Sequence, residues 1–91
     1  MLTLVILDED GQPRDRLHPD GNWPCLVAHL LASDARRVIL HQQRGAAAPQ
    51  PVDIALTRSL HRRLRALDIH LADHRIDTPT GCFSFRDAGL L

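Results

Sequence analysis

A chain of 91 residues suffices for one domain and not for two, and an apolar share of 44% is ordinary for a single core. Eleven Lys and Arg balance eleven Asp and Glu, so the overall charge gives no pull towards nucleic acid, an anionic membrane or an acidic substrate. The longest apolar run, Leu2 to Leu7, is far too short to cross a bilayer, and Cys25 and Cys82 have neither CxxC spacing nor a secretory framework, so the chain reads as a soluble cytoplasmic protein with reduced thiols.

In chain order, "LTLVILDEDGQPRDRL" opens with a β-branched and leucine run that reads as a strand covered on both faces. "DEDG" then supplies turn chemistry for a first hairpin. After the loop "HPDGN", the segment "WPCLVAHLLASDA" puts Leu26, Val27, Leu30 and Leu31 on one helical stripe, with Asn22 as its cap and Pro24 in its first turn. "RRVILH" is a short buried strand that a crossover brings alongside the first, and His41 stands at its C-terminal end.

A Pro/Ala loop leads to Asp53, read as the N-cap of a helix in which Leu56, Leu60, Leu64 and Leu67 form the apolar stripe. Arg58, Arg62, Arg63 and Arg65 form a basic face that could track phosphates and more often is the solvated side of such a helix. The chain has three aromatic residues, Trp23, Phe83 and Phe85, which leaves little to stack on bases. "IHLADHRID" and "GCFSF", joined by "TPTG", read as a closing hairpin, and "RDAGLL" as a terminal turn. These elements predict a single α+β domain over residues 1–91, a mixed sheet with two main helices.

Strand, histidine, loop and aspartate is the layout a hydrolytic zinc centre uses, because ligands on rigid elements converge where a loop leaves one coordination position open. The order of elements, and "DIALTRSL", "LDIHLADHRI" and "FSFRDAGLL" in particular, resembles the RadC-like JAB domain, a branch of the JAB/MPN metalloprotease fold associated by name with DNA repair. The resemblance covers most of the chain and implies a zinc held by a His-x-His pair and a following Asp, with an upstream Glu handling the proton of the bound water.

Carried over residue by residue, His41 matches the first histidine and Asp53 the aspartate, while the second histidine falls on Gln43, whose amide oxygen is a weaker zinc donor than imidazole nitrogen. The Pro-Ser-Gly that follows in the family becomes Arg44-Gly45, and Arg44 adds a permanent cation able to pair with Asp53. The glutamate position falls before the first strand, which begins at Met1-Leu2, and Glu9 belongs to the hairpin turn instead. The family's N-terminal helical region has no counterpart here, so the chain reads as a short form or an excised domain. His74 reads as a hydrogen-bonded structural histidine.

The leading expectation is therefore a catalytically inactive JAB domain without a cofactor, His41 and Asp53 being a vestigial pair and a protein its partner. The rivals are a zinc metallopeptidase or isopeptidase, and a nucleic-acid accessory domain. A hairpin at a sheet edge offers a homodimer contact.

Overall fold

The computed structural model describes residues 2–19, 21–45 and 48–91, so Asp20 of the "HPDGN" loop and positions 46–47 of the Pro/Ala loop lie outside it. The elements are β1 (Leu2–Leu7), β2 (Pro13–Leu17), α1 (Trp23–Ala32), β3 (Arg37–Gln43), α2 (Pro51–Arg65), β4 (His70–Thr78) and β5 (Gly81–Ser84). They form one five-stranded mixed sheet in the order β2-β1-β3-β4-β5 with two helices, the α+β arrangement expected from the sequence. β3 does lie beside β1, running antiparallel to it, and the β3-α2-β4 unit supplies the parallel pair.

The "DEDG" turn closes the first hairpin as its chemistry dictates. The Asp8 carboxylate accepts from the backbone N–H groups of Asp10 and Gln12, and Gly11 takes φ +80°, which only glycine adopts without strain. In β1 all of Leu4, Val5, Ile6 and Leu7 are buried. Leu4 and Ile6 join the main core with Leu30, Val38, Leu40, Leu64 and Leu71, while Val5 and Leu7 form a smaller cluster with Ile39 and Ala72. Alternation along the strands assigns these clusters to opposite faces of the sheet. Since Leu30 and Leu64 come from the two helices, the main core is the helix-facing side.

Three sequence expectations shift. Leu31, placed on the α1 stripe, is 57% exposed, and Leu56, placed on the α2 stripe, is 40% exposed. The residues that α2 and the turn after it direct inwards are Asp53, Thr57, Leu60, Leu64 and Leu67, a stripe at i, i+4, i+7, i+11 and i+14 whose N-terminal half begins polar. Finally, α2 starts before Asp53. Gln50 is the N-cap, Pro51 takes the first helical position that suits its fixed φ, and Asp53 sits in the first turn, where its carboxylate accepts the Gln50 backbone N–H at 2.8 Å.

The α1 cap is where the sequence puts it: the Asn22 side chain accepts from the Cys25 backbone N–H at 3.1 Å. Asn22→Ala should cost about 1 kcal/mol in chemical denaturation, the usual worth of such a cap.

β4 carries one irregularity. Val38 pairs with Leu71 but Ile39 pairs with Asp73, so Ala72 is an extra residue and the register shifts by one at that point. Beyond it, His74 and Ile76 face the helices, opposite Leu40 and Gln42, while Asp73, Arg75 and Asp77 face away, opposite Ile39, His41 and Gln43.

Candidate functional site

The C-terminal end of β3 and the first turn of α2 bring together the residues singled out as a possible metal centre. Parallel pairing continues one residue beyond β3, with the Arg44 backbone N–H donating to the Asp77 carbonyl at 3.0 Å. From there the guanidinium reaches α2. Arg44 Nη1 donates to Asp53 Oδ1 and Nη2 approaches Oδ2, each at 2.9 Å, and Nη2 also reaches the Ala48 carbonyl at 2.7 Å. The fork matches the planar guanidinium to the planar carboxylate, a fit that a lysine would not reproduce.

Asp53 is 5% exposed, and both of its oxygens are engaged by Arg44 and Gln50. The Arg44 hydrogen bond, more than any other contact, holds its carboxyl below the usual aspartate range, outweighing a burial that acts the other way.

His41 is engaged elsewhere. It lies on the face of β3 that carries Ile39, away from the helices, and its imidazole Nε2 pairs with the Asp77 carboxylate. Asp77 lies opposite Cys82 on β5. The Cys82 thiol first, and then His41, hold the Asp77 carboxyl below its usual range, while Asp77 pushes the Cys82 thiol up. A thiol so placed is a poor nucleophile, because it is the thiolate that reacts.

Nothing in the linear sequence singled out Asp77, because its partnership with His41 arises from the parallel register of β3 and β4. Glu9 sits in the turn after Leu7, which pairs with Arg37, at the opposite end of β3 from His41.

His74 is fully buried beneath the first turns of α2. The Thr57 hydroxyl donates to the Asp53 carbonyl at 2.9 Å and lies 2.5 Å from His74 Nδ1. One hydroxyl proton cannot serve both, so Nδ1 carries the imidazole proton and donates to Thr57. Nε2 is then a buried acceptor with no hydrogen-bond partner among the described residues. The ring stacks on Phe85 with centroids 4.2 Å apart. Burial pushes the His74 pKa down, and Asp53 and Asp73 only partly offset it.

Asp73, on the other face, ties β4 to the closing turn by accepting from Ser84 Oγ at 2.6 Å and the Arg86 backbone N–H at 3.0 Å. The "FSFRDAGLL" block is thus anchored by one carboxylate, and the only hint of it in the sequence is the polar residue at the start of "DHRID".

These residues do not fit a zinc ion. One donor, His41, faces Asp77 on the sheet side away from the helices, and the other, Asp53, is closed by a guanidinium from the helix side. Gln43 stands where a second imidazole would be required. Among the described residues, no three His, Cys, Asp or Glu side chains are grouped so as to hold a metal.

Residues 24–90 match the RadC-like JAB domain. The chain is 45% identical over 82 residues to a UPF0758 protein of Aromatoleum aromaticum, a match covering 86% of this chain and 36% of that protein. It is 37% identical over 68 residues to a UPF0758 protein of Polaromonas sp. (strain JS666), covering 72% and 30% respectively. A UPF0758 protein of Acinetobacter baumannii (strain AB0057) is 42% identical over 55 residues, covering 59% and 23%. The chain therefore spans about a third or less of the length of these curated relatives.

Proposed function

The chain belongs to the RadC-like JAB domain family, and on that premise we propose that it is a non-hydrolytic member that serves as a protein-binding or scaffold module. The observation that carries this reading is the Arg44 fork on Asp53. In the zinc chemistry implied by the family, a metal lowers the pKa of bound water and supplies hydroxide. That chemistry needs the aspartate as an open anionic donor. Here the aspartate is neutralised by a side chain that never deprotonates, and a divalent cation would have to displace it.

His41 supports the same reading, since its Nε2 is committed to Asp77. What remains is a small α+β domain whose polar groups hold its own elements together: Arg44 joins β3 to α2, His74 joins β4 to α2, and Asp73 joins β4 to the closing turn. Such a domain is suited to presenting a surface. No helix is long and apolar enough to cross a membrane among the described residues.

Protein purified without chelator should contain far less than one zinc per chain by elemental analysis, and added zinc should not produce peptide or isopeptide hydrolysis. Gln43→His combined with Arg44→Pro, which supplies an imidazole and removes the cation, should bind zinc more tightly than the natural sequence. Near-stoichiometric zinc in the natural protein, or zinc-dependent cleavage, would give first place to the metallopeptidase reading.

A further inference from the structure

Beside its core-facing stripe, α2 carries apolar side chains that the core covers only in part. They run from Val52 and Leu56, 68% and 40% exposed, to the core-packed Leu60, with Arg63 beyond. Leu56, Ser59, Leu60 and Arg63 of this helix form one wall of a cavity of about 170 Å³ whose other wall is α1, through Trp23 and Leu26, and whose floor is Leu2, Leu4 and Leu40. At the rim the Arg63 guanidinium lies 5.3 Å from the centre of the Trp23 ring. Small-molecule sites measure roughly 300–1,000 Å³. This cavity is smaller and has the scale of a receptor for one or two side chains.

A neighbouring depression shares Pro19 and Leu26 with it and is lined further by Arg16, His18 and His29. The two adjoin along Pro19 and Leu26, the first mainly apolar and the second lined partly by basic side chains. Among the described residues, no carboxylate lines either part. Every exposed charged residue of α2 is an arginine, because its single acid, Asp53, is buried.

We propose that this groove is the docking site for an acidic, amphipathic segment of a partner protein. The segment places one or two apolar side chains between α1 and α2 and aligns a carboxylate with Arg63 at the rim. The assignment rests on the domain's being a protein-binding module. Groove binding of an apolar helix face is a common way for peptides to be held. The Arg63 rim supplies orientation and disfavours basic competitors.

Trp23 is the single tryptophan of the chain, so its fluorescence reports on the groove directly. The test is selection of a displayed random-peptide library against the full chain, followed by titration of the synthesised consensus peptide and its Glu→Lys counterpart. Trp23 fluorescence and backbone amide NMR shifts are the readouts. Enriched peptides should pair apolar residues with carboxylates and perturb Trp23, Leu26 and Leu60. They should bind at least about tenfold more weakly to Leu56→Asp and to Arg63→Glu, as expected for loss of a central anchor.

Both substitutions are at exposed positions, and circular dichroism verifies that each variant is folded. Peptides that bind both variants unchanged would remove the groove while leaving the protein-binding reading in place. Enrichment of basic peptides, or none at all, would overturn the assignment. So would a DNA duplex that perturbs Trp23 more strongly than any peptide, or self-association that Leu56→Asp abolishes; these outcomes would give the surface to nucleic acid or to a second copy of the chain. Zinc-dependent hydrolysis would refute the non-hydrolytic reading without touching this result.

Discussion

Arg44→Ala is expected to destabilise the protein by about 2–3 kcal/mol at neutral pH, because it leaves the buried Asp53 carboxylate with its helix-cap hydrogen bond and no counter-charge. For a domain of this size that corresponds to a fall in Tm of roughly 10–20 °C. The cause can be tested through pH. The folded-state pKa of Asp53 lies below its ordinary value of 3.8, with the Arg44 hydrogen bond the main reason. The stabilisation is therefore complete above the unfolded value and is lost as pH falls through the lower, folded one.

The stability gap between the natural protein and Arg44→Ala should accordingly be constant near neutrality and shrink below about pH 4, as the carboxyl takes up a proton. Urea denaturation at several pH values measures it. A gap unchanged down to pH 2 would mean that Arg44 acts through packing alone. Asp53→Asn in the Arg44→Ala background should cost little more, since the charge needing a partner has gone.

His74→Ala should cost about 3 kcal/mol, the usual penalty for a cavity left by a fully buried ring, and it also removes the stacking on Phe85. His74→Leu separates packing from titration, because it fills similar space without an ionisable group. Burial lowers the folded-state pKa of His74 below the ordinary 6.5, so the unfolded chain takes up the proton first. The contribution to stability is whole above pH 6.5 and declines as pH falls towards the folded value, at a limit of about 1.4 kcal/mol per pH unit.

Between pH 7 and pH 5 the natural protein should therefore lose stability faster than His74→Leu. Parallel curves for the two proteins would show that His74 stays neutral in both states or is charged in both. The other five histidines are common to both proteins, so the difference isolates His74.

Much of this architecture could be read in one dimension. The "DEDG" turn, the Asn22 cap, the doubly buried β1 and the closing hairpin each rest on short-range chemistry that a few adjacent residues specify. The α2 stripe is less legible, because leucine spacing alone favours Leu56 over Thr57. In the fold the inward position goes to Thr57, whose hydroxyl meets His74, a residue 17 positions away. The start of α2 is ambiguous in sequence for a related reason: an aspartate before an apolar run fits both an N-cap and a first-turn position, and in the fold Gln50 is the cap with Pro51 following it.

At the site, Gln43 and Arg44 were visible as departures from the family pattern, and the Arg44–Asp53 pair follows from charge and proximity. The separation of His41 from Asp53 was not visible, since it depends on which face of β3 the imidazole takes and on Asp77 arriving from β4. Parallel register is set by packing between distant segments and leaves no local trace.

The additional residue at Ala72 acts as a phase shift in a two-residue wave. Upstream of it β4 alternates in one phase, and downstream in the opposite one, which is why four consecutive residues from Leu71 to His74 are all buried. Were alternation to run on unbroken from Leu71 with Ala72 retained and no bulge, Asp73, Arg75 and Asp77 would turn towards the helices, and His74 and Ile76 towards the open face. The imidazole under α2 and the carboxylate beside His41 would exchange sides together. The bulge thus sets the facing of the whole strand end at once: deleting Ala72 would straighten β4 and keep every downstream side chain on its present face, whereas losing the bulge at constant length would invert them all.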